Sequence, residues 1–344
     1  LEDDVVSLVP QSKPSEAGLP DYLLLSNGPT SMLLDFQDSG APTPVYWGPR
    51  LSSESPETLR GLAAASHTQR VSGGTDVPAV LTLVPQQSER WVDTPGLSGH
   101  RQGLDFAPRF DVVSVNADQS SAVIQLSDVG LELYLEIELE VEPSGLLRQR
   151  LTLTNDGTED YTLEQLQMVF PIPESATEIL DTTGHHLRER APQRHDIAMG
   201  THQRESLKGR PGADSTLFMA AGSKGFGFET GLVHAVHLAW SGNFRIGVTR
   251  TPSSATFFTV SELLLPGEVI LGPGESYSTP WALGAWGKGL NRLSHQFHGY
   301  VRGRGSHPQS PLAWLQDPVV MSGEALETIG VRAPVQSLSF QRLQ

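Results

Sequence analysis

The chain has 344 residues, a formal net charge of −15, 34 Gly, 25 Pro and no cysteine. The acidic balance excludes a partner read through its phosphate backbone, so no nucleic-acid role is expected, and the missing thiols exclude disulfides, thiolate zinc sites and a cysteine nucleophile. No apolar run approaches the roughly eighteen residues a membrane helix needs, no secretory leader is read at Leu1, and a cytoplasmic, non-membrane protein is the expectation.

In chain order, VVSLV, YLLLS, SMLLDF and VYWG are short apolar runs broken at Gly and Pro, and each reads as a strand. Pro49 to Pro78 is a long polar loop, rich in Ser and Thr, with a helix expected between Pro56 and Ala65. A loop of that length in a compact β-domain is commonly functional or an interface. FDVVSV and SAVIQL follow as strands, and then LELYLEIELEVE alternates strictly. That alternation places Leu131, Leu133, Leu135, Ile137, Leu139 and Val141 on a buried face and Glu132, Glu136, Glu138, Glu140 and Glu142 on a solvated one. EPSG turns this strand into LLRQRLTLTND, which TNDGTED closes with an Asp-Gly turn, and YTLEQLQMVFPI reads as a further strand.

From Thr183 to Asp214 the residues HHLRERAPQRHDIAMGTHQRESLKGRPGAD concentrate His, Arg and carboxylates without an apolar period, and the segment is read as a solvated excursion. GFGFETG superficially resembles a nucleotide fingerprint but lies between strand patterns, where it is a Gly-lined turn. FFTVSELLL is a strand, and LLLPGEVILGPGESY reads as two short strands around two Pro-Gly turns. Leu290, Leu293, Phe297, Tyr300 and Val301 then recur at helical spacing, giving an amphipathic helix whose polar face carries Asn291, Arg292, His295 and His298. The fold class is therefore all-β: a large antiparallel assembly of sandwich type closed by a helix.

One set of motifs is collinear along most of the chain: Tyr46-Trp47-Gly48; Pro95-Gly96-Leu97-Ser98-Gly99-His100-Arg101 with Asp105-Phe106; Arg188-Glu189-Arg190 with Pro192-Gln193-Arg194; Arg204-Glu205-Ser206; and Leu217 to His307. In order and spacing the chain resembles the N-terminal β-domain of family 36 glycoside hydrolases, the retaining α-galactosidases. The resemblance implies a β-supersandwich over residues 1–310. It also implies that the catalytic (β/α)8 barrel, opened in the family by an Asn-x-Trp-Glu motif, should follow; here Pro311-Leu312-Ala313-Trp314 leads to VVMSGEALETIGVRAP instead. That segment, with its Ser-Gly-x-x-Leu and Gly-Val-Arg-x-Pro motifs, resembles the end of the family's C-terminal β-domain, so 311–344 is expected to be a short C-terminal β segment.

Retaining hydrolysis needs two carboxyl groups about 5 Å apart, and in the resembled family both are aspartates of the barrel, so no catalytic residue is expected in this chain. The implied roles are scaffold, oligomer contacts and a loop sent toward the substrate cleft. Asp76 on the Pro49–Pro78 loop, with Trp91, His100, Arg101 and Asp105, forms the expected substrate rim, since a Trp face stacks on a sugar and Asp and Arg bind its hydroxyls. Arg101 with Asp105 also reads as a structural ion pair, Trp91 as core, and Trp240, Trp281 and Trp286 as packing. His295 and His298 have ligand-like spacing but lack an accompanying Glu, so no metal and no cofactor are expected. Two readings of different class stand: the non-catalytic, oligomer-forming part of an enzyme that acts on α-galactoside oligosaccharides, and a self-contained sandwich that binds carbohydrate or a partner without hydrolysing anything.

Overall fold

The computed structural model describes residues 18–37, 40–66, 79–252 and 255–305. The expected strand VVSLV, Asp76 and the 311–344 segment lie outside the described residues. The chain divides into one unit that ends at Phe297 and a second that begins at His298; the account below concerns the first.

Its strands, in order, are β1 (Tyr22–Asn27), β2 (Thr30–Asp35), β3 (Thr43–Pro49), β4 (Leu97–His100), β5 (Asp111–Ala117), β6 (Ser121–Asp128), β7 (Leu133–Val141), β8 (Leu147–Asn155), β9 (Tyr161–Leu166) and β10 (Met168–Pro171). There follow β11 (Glu178–His185), β12 (Arg188–Asp196), β13 (Gly200–Ser206), β14 (Phe218–Gly222), β15 (Leu232–Leu238), β16 (Phe244–Arg250), β17 (Thr256–Glu262), β18 (Val269–Leu271), β19 (Ser276–Ser278) and β20 (Ala282–Lys288). Helix α1 (Pro56–Ser66) interrupts the series early and helix α2 (Gly289–Gly305) follows it. A ten-stranded antiparallel sheet runs β12-β11-β14-β15-β20-β8-β7-β6-β5, with β19 also on β8, and sheets of three (β1-β2-β3), four (β10-β17-β16-β13) and three strands (β18-β9-β4) complete the described fold.

The strict alternation of β7 is realised as written: Leu133, Leu135, Ile137, Leu139 and Val141 are buried, and Leu131 packs against the same core from just before the strand. The carboxylate face is less wet than expected. Register sets Glu138 opposite Arg150 and Glu140 opposite Arg148, each pair is joined by a salt bridge, and the two guanidinium groups lie 4.3 and 4.7 Å from the Trp281 ring. Cross-strand pairing and cation–π contact consume what composition alone presents as a free row of acids.

Turn chemistry carries the connections. Pro266-Gly267 and Pro273-Gly274 sit at the corners of two turns closed by Glu268 N–H to Leu265 O and Glu275 N–H to Gly272 O, with φ of 73° and 77° at the glycines; Pro presets the first corner and Gly alone takes positive φ cheaply at the second. Helix α1 begins with Ser55, whose Oγ accepts the Thr58 N–H, and Pro56 in the first helical position. It buries Leu59 and Ala63 in a satellite core with Tyr22, Leu24 and Leu33.

Three expectations are corrected. YTLEQLQMVFPI is two strands in different sheets, β9 and β10, because the chain breaks pairing at Gln167, whose N–H and side-chain amide turn to Gly96 O and Pro95 O. The segment from Thr183 to Asp214 is no solvated loop: it holds the end of β11, all of β12 and all of β13. Both faces of β12 are largely open, so no apolar period marks it. In α2, Leu293 is buried as expected, but Gln296, outside the expected stripe, is also buried, 2% exposed, its Oε1 accepting the Trp286 N–H.

Candidate functional site

Of the expected rim residues, the structure brings three together on one turn. After β4, Arg101 and Leu104 exchange both backbone hydrogen bonds across Gln102 and Gly103, whose φ values are 50° and 84°, a type I′ hairpin turn. The His100 Nδ1 accepts the Gly103 N–H at 3.1 Å, and its Nε2 faces Glu164 at 3.7 Å. Arg101 points inward and is 8% exposed. It donates to Asn155 Oδ1 at 2.6 Å, Leu131 O at 2.7 Å, Asp105 Oδ2 at 3.3 Å and Glu159 O at 3.4 Å, and lies 5.4 Å from the Tyr161 ring centre. Asn155 extends the network with its amide to Glu159 O and Leu271 O. Arg101 and Asp105 thus hold the β4 turn, the end of β8 and the start of β9 in one knot. A guanidinium so fully engaged is a fastener.

Trp91 is not beside them. It is 6% exposed and belongs to a small core with Val169 and Phe257, its ring 5.7 Å from Phe257 and its indole N–H bonded to Thr94 O. The stacking platform that the residue type suggests is enclosed in this unit. The aromatic that is presented on this side is Phe106, 62% exposed, at a shallow hollow it shares with Pro85, Gln86, Pro95, Leu97 and Pro108. The other signature residues near the start of the chain are also packed: Trp47 is 5% exposed, against Phe170 and His234, and a Cβ on Gly284 would come within 2.7 Å of its ring. Burial drives the His234 pKa down from 6.5 to about 4, although its Nε2–H donates to Trp47 O.

A second polar cluster, which sequence reasoning missed, joins two sheet edges. Asp181 on β11 is 1% exposed. Its Oδ2 accepts from His202 Nε2 at 2.6 Å and Arg204 Nε at 2.7 Å, and its Oδ1 accepts from Arg204 Nη2 at 3.2 Å and faces His195 Nε2 at 3.7 Å. Burial alone would raise the carboxyl, but the hydrogen bonds and charge of His202 and Arg204 bring it down to about 2. His195 lies opposite Ile179, one pleat from Asp181, and His202 and Arg204 alternate along β13 so as to share a face. The three-residue corner Ile197–Met199 folds β13 back against the β11–β12 hairpin, and the two imidazole rings end 4.3 Å apart. Nearby, Glu178 holds Arg194 and the Gly225 N–H, which pull its carboxyl down against burial.

Comparison with known proteins places the chain in a family. Residues 40–272 match the Glycosyl hydrolase family 36 N-terminal domain, and the chain belongs to that family. It is 31% identical over 259 residues to an alpha-galactosidase of Escherichia coli, covering 75% of this chain and 36% of that protein. It is 26% identical over 208 residues to alpha-galactosidase 2 of Pediococcus pentosaceus, covering 60% and 29%. The fold resembles the crystal structures of the α-galactosidases AgaA of Geobacillus stearothermophilus (TM-score 0.70, 19% identity, 82% of this chain and 43% of that one) and of Lactobacillus brevis (TM-score 0.70, 18% identity, 82% and 41%). The chain spans about a third of the length of the curated relatives it matches.

Proposed function

We propose that this chain is the non-catalytic β-domain portion of an α-galactosidase, serving as scaffold and oligomer-forming surface for an enzyme that releases terminal α-galactosyl residues from oligosaccharides. The observation that carries the reading is the match to the family's N-terminal domain over residues 40–272. Galactosides enter by similarity: variants of the Geobacillus enzyme AgaA have been solved with raffinose and with stachyose. Chemistry supports a non-catalytic role. Five carboxylates of this unit are each committed to an arginine, Asp105 to Arg101, Asp181 to Arg204, Glu178 to Arg194, Glu138 to Arg150 and Glu140 to Arg148. A nucleophile and an acid/base must instead face a shared open space about 5 Å apart. The role of Asp76 as a polar contact on the substrate, with 311–344 as the end of the family's C-terminal β-domain, forms part of the same proposal. Incubation of the purified polypeptide with nitrophenyl α-galactoside should release no nitrophenol, and turnover that copurifies with this chain would sink the reading.

A further inference from the structure

We propose that Asp181, His195 and His202 form a binding site for a late first-row divalent cation, Zn2+ foremost, which would clamp the β11–β12 hairpin to β13. The proposal is independent of the enzyme reading above. One ligand atom from each residue, two imidazole nitrogens and one carboxylate oxygen, lies within 4.8 Å of the others. Ligands bound at about 2.0–2.2 Å in a tetrahedral zinc site stand about 3.3 Å from one another, so the cluster accepts an ion once side-chain rotations close its longest separation by up to about 1.5 Å. Two imidazoles with one carboxylate suit Zn2+ and its neighbours, whereas Ca2+ and Mg2+ require oxygen ligands.

Two details separate this cluster from a satisfied ion pair. Asp181 is already neutralised by Arg204, which grips both carboxylate oxygens, so neither histidine is needed as its counter-charge. The His195 Nε2 is a buried atom without a hydrogen-bond partner, aimed at that carboxylate from 3.7 Å. An unpaired nitrogen of this kind costs stability unless something binds it. The His195 side chain is 36% exposed and that of His202 27%, which gives an ion a way in and leaves a position for water as the fourth ligand. Arg204 stays on the carboxylate as the outer partner that fixes its orientation. The proton that His202 Nε2 donates to Asp181 leaves that nitrogen when the metal takes its lone pair, passing to Nδ1 through solvent or, from a charged ring, to bulk.

The test is calorimetric titration of Zn2+ into the full chain after chelator treatment, at neutral pH. One equivalent should bind saturably, and His195→Ala should weaken binding at least about tenfold, while a His295→Ala/His298→Ala variant should bind as the parent does. No saturable binding by the parent, or equal affinity in the His195→Ala chain, would overturn the proposal. So would loss of binding in the His295→Ala/His298→Ala chain alone. Should His195→Ala not fold, carbethoxylation of the unmodified chain decides: Zn2+ should protect His195 and His202 from diethyl pyrocarbonate and leave His295 and His298 reactive, and equal protection of all four would overturn the site.

Discussion

At the scale of single residues, Arg101 shows how one side chain serves several elements. Its four acceptors come from the β4 turn, the loop before β7, the end of β8 and the approach to β9. Arg101→Ala removes the side-chain donor from Leu131 O and the cation from Asp105, and leaves Asn155 Oδ1 with only the Gly157 N–H and Glu159 O with only the Asn155 amide, and should cost about 2–4 kcal/mol. Urea unfolding measures this, and a loss under about 1 kcal/mol would mean that the knot contributes little. His234 makes a pH-dependent contribution of the opposite kind. Its folded-state pKa lies near 4, below the ordinary 6.5, so the unfolded chain binds the proton more readily. Stability is complete above pH 6.5 and falls by up to about 3 kcal/mol as pH drops toward 4. Asp181, with a carboxyl held down near 2, gives up its contribution only below the ordinary carboxylate range, so the two effects separate on the pH axis. His234→Gln, which keeps a donor for Trp47 O, should flatten the profile between pH 6.5 and 4; an unchanged slope would assign it to other groups.

Between elements, the β7–β8 pair sets two faces against each other. Ile137→Ala on the buried face should destabilise by about 2–4 kcal/mol, and Glu136→Gln on the other face by less than about 0.5 kcal/mol. Equal effects in denaturant titrations would contradict the burial pattern. A narrower approach holds β4 against β9: a Cβ on Gly99 would lie 2.5 Å from a Tyr161 ring carbon and 2.7 Å from Thr162 O, so Gly99→Ala should cost about 1–3 kcal/mol. Elements with a period were legible in the sequence. β7 announces itself through six alternating apolar residues and α2 through a spacing of three and four. β12 and β13 carry Arg, His, Gln and Glu on faces open to water, and their strand state rests on ladder hydrogen bonds to β11 and β16. Such pairing leaves no trace in hydrophobic order. Of the rim residues, the ion pair of Arg101 and Asp105 was legible from spacing, but Trp91 was not placed, since its residue type fits a sugar platform and a core equally.

For the whole molecule, the sheet order joins segments far apart in sequence, β20 to β8 and β13 to β16, and the long-range pairing explains why three of the tryptophans serve packing. Trp47 meets His234 and Phe170, Trp281 stacks on Arg148 and Arg150, and Trp286 donates to Thr30 Oγ1. Among the described residues no helix is long and apolar enough to cross a membrane. As a scaffold, this polypeptide should show no saturable raffinose binding by calorimetry at millimolar sugar, roughly the weak limit of specific recognition. Tighter binding would favour the self-contained carbohydrate-binding sandwich.

The sequence by itself determined the all-β class, the buried face of β7, the Pro-Gly turns, the terminal helix and the family, because alternation, turn chemistry and collinear motifs are local properties of the chain. Only the tertiary structure decided that Glu138 and Glu140 of β7 are paired with arginines, that Trp91 is enclosed, that Arg101 is a fastener and that Asp181, His195 and His202 converge. Each of those depends on which strands lie side by side and how a short corner carries the chain from one sheet to the next, and neither the choice of partner strand nor sheet-to-sheet packing is encoded in the spacing of neighbouring residues.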